Sequence, residues 1–175
     1  MQSQMCLGSG VVLKQTPLSG VKEFKAVVLR EEPMSREQTM CDTPEKAAQF
    51  WFEHVEDAAR FTPGVENFVV LLLNTRRRII GWQIVSTGTL DTLLVHAREV
   101  FKVAIVANAA ALVLMHNHPS GDPTASEADI RVTRDLVRGG QLLKIEVLDH
   151  VIVGQATNER PKAYQSLREQ GYFHQ

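Results

Sequence analysis

The chain has 175 residues, 44% of them hydrophobic and 22% charged, with a formal net charge of -1. That length suits one domain able to bury a core without covalent staples, and the composition is that of an ordinary globular protein. The near-neutral charge gives no global electrostatic pull toward nucleic acid or a membrane surface, and no apolar stretch approaches the length of a membrane span.

The two cysteines, Cys6 and Cys41, are too far apart for a metal knuckle or a redox pair, which excludes a cysteine-rich zinc finger. With no basic segment leading into a long apolar run at the N-terminus, a cytoplasmic, reduced protein is expected. Residues 1–44 are the least patterned part: FKAVVL (24–29) predicts one short strand, and EEPMSREQTMCDTP (31–44) reads as loop, so this part is expected to be an N-terminal arm. The main domain is expected to occupy residues 45–175. Thr43 has the chemistry of a helix N-cap, with Pro44 at the first helical position and Glu45 in the first turn, and the helix should continue through AAQFWFEHVEDAARF until Pro63 and Gly64 stop it. ENFVVLLLNT (66–75) is a continuous apolar run of strand length, and RIIGWQIVSTGTL (78–90) is a second β-rich run. Joined at the Arg76, Arg77, Arg78 tip, they predict a hairpin.

Further along, Val100, Val103, Ala104, Ala107 and Ala111 recur at helical spacing, so an amphipathic helix is expected over residues 96–110. ALVLMH (111–116) predicts a buried strand. A second amphipathic helix should begin near Ser126 and end at the glycine pair Gly139-Gly140, which suits a C-terminal cap. KIEVLDHVIVG (144–154) predicts one or two closing strands, and AYQSLREQG (163–171) a weak final helix or tail. The expected fold is an α/β (α+β) sandwich with helices packed on a mixed or mostly antiparallel sheet.

The most informative stretch is LMHNHPSGDPTASEAD, residues 114–129. Side chains at i and i+2 of a strand share a face, so His116 and His118 can project toward one point. A carboxylate on the first turn of the next helix, Asp129, can supply a third ligand once the chain doubles back through Pro119 to Pro123. Two imidazoles and a carboxylate form a ligand set suited to zinc, and three protein ligands leave a fourth position open for chemistry. A plainer explanation stands beside this one: Ser126 caps the helix, Asp129 closes a capping box, and the histidines merely flank the end of a core strand. Each residue alone fits the plainer explanation, whereas the combination favours the metal site. Spacing excludes the familiar competitors, since the chain has neither a Pro-Cys-x-x-Cys deaminase pair nor a His-Glu-x-x-His helix.

His116-x-His118, seven intervening residues and then Ser126-x-x-Asp129 resembles the JAMM motif of the MPN+/JAB metallopeptidases. The run HNHPSGDP, with NAAALVLM before it and LDHVIVG after it, resembles the bacterial RadC-like branch, and the resemblance extends from about residue 66 to residue 154. It implies a cytidine-deaminase-like JAB/MPN sandwich in which His116, His118 and Asp129 bind one Zn²⁺ per chain. It also implies that Ser126 stabilises an oxyanion beside the metal and that Glu66 is the general base activating the zinc water. The implied activity is cleavage of a peptide or isopeptide bond, with the protein substrate and the oligomeric state unspecified. Asn117 departs from the Ser or Thr of the eukaryotic deubiquitinating relatives, and Ala125 stands where the RadC-like branch often has proline. On this reading residues 1–44 hold no counterpart of the helical hairpin domain that precedes the core in full-length RadC proteins.

Two other functions come from different classes. One is a DNA-repair or mobile-element accessory protein that binds nucleic acid, motivated by the branch's historical label and the Arg76 to Arg78 turn; the other is a non-catalytic MPN scaffold. Among the remaining histidines, His150 in LDHVIVG fits a satisfied core histidine better than a partner orienting a ligand, and His96 with Arg98 opens a helix. His54 and His174 carry no pattern.

Overall fold

A computed structural model describes residues 5–7, 11–17, 22–28, 39–88 and 95–173. The chain divides into two compact units, residues 1–37 and residues 38–175. The first contains three strands, β1 (Met5–Leu7), β2 (Val11–Pro17) and β3 (Lys22–Val28), paired as an antiparallel meander with Leu7 opposite Val11 and Leu13 opposite Ala26. Sequence patterning identified only the third, because the first two lack the regular alternation of a half-buried strand. The expected loop over residues 31–38, Thr89 and Leu90 of the second hairpin run, and His174 lie outside the described residues.

The second unit begins its regular structure where the capping signal placed it. Thr43 caps α1 (Pro44–Phe50) by accepting from the backbone N–H of Lys46. The helix does not continue to Pro63. It widens into a π-helical turn, Trp51–Val55, closed by a hydrogen bond from Glu56 N to the Trp51 carbonyl at 3.2 Å, and the chain then leaves in turns. The extra residue in that turn lets Phe50, Trp51 and Val55 all reach the core, with Trp51 and Val55 fully buried.

A five-stranded sheet of order β5-β4-β6-β7-β8 forms the centre of this unit. The predicted hairpin is β4 (Glu66–Leu73) with β5 (Ile79–Gly88). At its tip Arg77 takes a left-handed conformation, φ 59°, and the Asn74 side chain accepts from the backbone N–H groups of Arg76 and Arg78. Then follow α2 (Ala97–Val106), β6 (Ala111–Asn117), α3 (Glu127–Leu143), β7 (Glu146–Val153) and β8 (Tyr164–Ser166). Only β6 and β7 run parallel, joined by the crossover through α3, so the sheet is mixed as expected.

Every residue of β4 and of β6 is buried, which explains why both read as unbroken apolar runs. Alternation divides them between two cores. Val69, Leu71, Leu73, Val113 and Met115 pack with Ala47, Phe50 and Trp51 of the first helical segment, while Phe68, Val70, Leu72, Leu112 and Leu114 pack with Val100, Phe101, Ala104 and Leu136 of α2 and α3. His116 follows Leu112 and Leu114 in this alternation and so belongs to the α3 side.

Two expectations near the C-terminus are corrected. The pair Gly139-Gly140 does not cap α3, which continues to Leu143 and ends with Lys144 in the left-handed conformation at φ 58°. The glycines are needed for close packing instead. A Cβ on Gly140 would lie 2.4 Å from the Ile145 carbonyl oxygen, and one on Gly139 would lie 3.0 Å from the Phe101 ring. AYQSLREQG is not a helix either; its first residues form β8, antiparallel to β7, followed by turns. β8 covers an otherwise open sheet edge, and Ser166 Oγ donates to Asp149 Oδ2 at 2.7 Å, a long-range bond that outweighs the local helical pattern.

Gly140→Ala is expected to lower unfolding free energy by about 1–3 kcal/mol through overpacking, measured by urea denaturation. Gly64→Ala, where an added Cβ meets nothing within 4 Å, is expected to shift stability by no more than about 0.5 kcal/mol.

Candidate metal centre

His116 is the sixth residue of β6 and fully buried, whereas His118 lies just beyond the strand end, where its backbone N–H still bonds the Val153 carbonyl of β7 at 2.9 Å. The two side chains meet as period-two alternation requires, with Nε2 to Nε2 at 3.0 Å. The chain then turns through Gly121, whose φ of 78° suits glycine, and the turn is held by Arg160. Its guanidinium donates to the Gly121 carbonyl at 2.8 Å, the Gln155 carbonyl at 3.1 Å and Asp122 Oδ1 at 3.0 Å. Gly154 permits the close approach of β7 to this turn, since a Cβ there would lie 2.4 Å from the Gly121 carbonyl oxygen.

Ser126 caps α3, and a full capping box forms with Asp129. The Ser126 backbone N–H and hydroxyl both donate to Asp129 Oδ2 at 2.7 Å, while the Asp129 N–H donates to Ser126 Oγ at 3.2 Å. The carboxylate thus fixed points at the histidines, with Oδ1 3.1 Å from His116 Nε2 and Oδ2 3.6 Å from His118 Nε2. The capping interpretation and the ligand interpretation therefore describe one arrangement, because the cap aims the carboxylate.

One donor atom from each of His116, His118 and Asp129 lies within 4.8 Å of the other two. A tetrahedral ion with bonds of about 2.0–2.1 Å separates its ligand atoms by roughly 3.3 Å. The three distances of 3.0, 3.1 and 3.6 Å bracket that value, so these residues fit a metal ion of that size.

Burial pushes the pKa of His116 down, opposed by its bond to Asp129. Burial acts the same way on His118, but the Asp129 hydrogen bond, the Asp122 carbonyl and the charges of Asp129 and Glu66 outweigh it, so its pKa rises. For Asp129 the upward push of burial is overcome by the two histidines and Ser126, which hold the carboxyl well below the usual carboxylate range. The site is organised to keep an anionic carboxylate and to attract positive charge.

Glu66, at the start of β4, is buried, and with His116 and Asp129 it lines a cavity of about 70 Å³. The other walls are the apolar Phe68, Val95, Ala128 and Val132. Asn117 holds the backbone on both sides of Glu66: its Oδ1 accepts from Asn67 N at 2.8 Å, and its Nδ2 donates to the Val65 carbonyl at 3.0 Å. The central residue of His-Asn-His thus clamps the strand start that carries Glu66. In the sequence Asn117 stands out only against the Ser or Thr of the eukaryotic relatives, Asn being usual in the RadC-like branch, because its partners lie about fifty positions away.

His150, a core histidine by its sequence context, and Thr133 also belong to this site. His150 is buried behind the centre, its Nε2 2.8 Å from His116 Nδ1 and its Nδ1 2.5 Å from Thr133 Oγ1. The available signals were the pairing of two buried strands and the i,i+4 spacing of Thr133 from Asp129 on one helix face. The other residues singled out from sequence stand apart from this cluster. Arg77 at the hairpin tip pairs with Glu146 at 3.0 Å, His96 precedes α2, and His54 lies against Phe50 and Glu53.

The model of the RadC-like JAB domain matches residues 41–172, three quarters of the chain. The chain belongs to the RadC-like JAB domain family. Similar proteins include a UPF0758 protein of Halalkalibacterium halodurans, 39% identical over 176 aligned positions that cover 95% of this chain and 71% of the relative. A UPF0758 protein of Caldanaerobacter subterraneus is 48% identical over 108 positions, covering 62% of this chain and 44% of the relative, and one of Symbiobacterium thermophilum is 51% identical over 107, covering 61% and 43%. The chain therefore spans less than half of the last two relatives. Among the described residues of this RadC-like chain no helix is long and apolar enough to cross a membrane.

With zinc as the probe ion, the RadC-like chain is expected to bind one equivalent in a chelator-competition titration. His118→Ala should weaken that binding by more than about 100-fold, beyond what loss of a merely supporting partner costs.

Proposed function

We propose that this RadC-like protein is a zinc-dependent hydrolase of the JAMM type, cleaving a peptide or isopeptide bond, with His116, His118 and Asp129 holding the metal. The observation that supports this reading is the convergence of two imidazoles and one carboxylate beside a cavity that a second buried carboxylate, Glu66, also lines. Zinc, when bound to such a set, supplies Lewis-acid polarisation of a carbonyl and acidifies a water. The remaining work falls to the chain's own side chains.

In this proposal Glu66 is the general base: its carboxylate takes a proton from the attacking water and returns it to the leaving amine as the C–N bond breaks. Asn117 holds Glu66 in place through the backbone of Val65 and Asn67. The resemblance assigns Ser126 to an oxyanion, yet its hydroxyl hydrogen is committed to Asp129 Oδ2. Its first duty is accordingly to aim the Asp129 carboxylate, and donation to an oxyanion follows only when the hydroxyl rotates away. The apolar walls of the cavity favour a substrate whose side chain next to the scissile bond is small and uncharged.

Glu66→Gln should retain zinc at the wild-type level while lowering cleavage of a mixed peptide library, read by mass spectrometry, by about 10²–10⁴-fold. A zinc-loaded wild-type protein that cleaves neither linear peptides nor isopeptide-linked conjugates would overturn the hydrolase assignment and leave the metal centre intact.

A further inference from the structure

We propose that Thr133 and His150 form a hydrogen-bond relay that fixes the tautomer of His116, holding the proton on Nδ1 and leaving the Nε2 lone pair free for a metal ion. The inference rests on the metal-centre reading given above and names two positioning residues for it.

The relay is anchored on a group whose role cannot change. The backbone carbonyl of Asp129 only accepts, and Thr133 Oγ1 lies 2.6 Å from it. Two oxygens at that distance repel unless a hydrogen lies between them, so the single hydroxyl hydrogen of Thr133 is committed to the carbonyl. Thr133 Oγ1 can then only accept from His150 Nδ1, 2.5 Å away, which puts the His150 proton on Nδ1. A neutral His150 therefore offers a bare Nε2, which accepts from His116 Nδ1 at 2.8 Å. The His116 proton is thereby held on Nδ1, and the Nε2 that faces His118 and Asp129 is the nitrogen left for a metal ion.

His150 is fully buried with the Phe68 ring edge-on at 5.4 Å, and its two ring nitrogens bond Thr133 and His116 rather than a carboxylate, an environment that favours the uncharged ring. The other imidazole is set by the same rule in one step. His118 Nδ1 donates to the Asp122 carbonyl at 2.7 Å, so Nε2 is the nitrogen left for a metal ion there as well. Both ligand nitrogens are thus traced to backbone carbonyls, directly for His118 and through two side chains for His116.

The relay also explains why Asp129 and Thr133 stand four residues apart on α3. The Asp129 side chain faces the centre while its own carbonyl terminates the chain of bonds behind it, so one helical turn supplies a ligand and sets the tautomer of another. Without the Thr133 oxygen, the His150 proton has no acceptor at Nδ1 and moves to Nε2. It then donates to His116 Nδ1 and forces the His116 proton onto the metal-facing Nε2.

The test is made on the full chain, using side-chain ¹⁵N NMR of the metal-free protein and zinc affinity by chelator competition. The relay requires, in the metal-free wild type, a proton on His116 Nδ1 and the Nδ1–H tautomer of His150. Thr133→Val is expected to weaken zinc binding about 10–100-fold, and Thr133→Ser, which restores the oxygen, to return it to within about threefold of wild type. An Nε2–H tautomer of His116 in the metal-free wild type would overturn the relay, as would unchanged zinc affinity in a folded Thr133→Val. If Thr133→Val does not fold, the wild-type tautomer decides alone. An Nδ1–H tautomer in a protein that binds no zinc would sink the metal reading and leave the relay standing.

Discussion

Three electron-pair donors converge at the edge of the buried core: two imidazole nitrogens 3.0 Å apart and a carboxylate oxygen 3.1 Å from one of them. Lone pairs placed that close repel unless something positive lies among them, and much of the surrounding structure serves to hold them there. The strand β6 supplies the geometry through alternation. The turn after His118, pinned by Arg160 and kept tight by Gly121 and Gly154, returns the chain to the same point. The helix that follows uses its own capping box to orient the third donor. A site of this kind costs stability when no cation is bound, and the two fully packed faces of β4 and β6 are the compensating framework.

The residues behind the donors matter as much as the donors. Asn117 and Thr133 carry no charge and ligate nothing, yet one clamps the strand start bearing Glu66 and the other terminates the bonds that run behind His116. The ligand histidine, the second histidine and the helix backbone form one connected network, so a change at any member alters how the others share their hydrogens. Asp149 does comparable structural work on the far side, where it accepts from the His150 backbone, Ser166 and the backbone of Arg168 and so holds β7, β8 and the following turn together.

The sequence was most legible where a local pattern and a tertiary demand coincide. Thr43-Pro44, the apolar runs of β4 and β6, and Ser126-x-x-Asp129 each state their structure within a few residues, and each was found where expected. Legibility failed where distant partners decide. The glycine pair near the end of α3 resembles a cap until Phe101 and the Ile145 carbonyl are brought against it. AYQSLREQG carries a helical pattern, but the open edge of β7 and the buried Asp149 recruit it as a strand. The π turn at Trp51 depends on three side chains needing one core, which no window of residues reveals. For the same reason His150 read as packing and Thr133 went unnoticed, since their meaning lies in contacts across 17 and 34 positions.

X-ray absorption spectroscopy at the zinc edge, on the full chain loaded with one equivalent of zinc, reads the ligand set of the centre itself. With His116, His118 and Asp129 as ligands, two imidazoles and oxygen donors at about 2.0–2.1 Å are expected, with no sulfur in the coordination shell. A sulfur shell at about 2.3 Å, or a zinc ion without imidazole scattering, would contradict it.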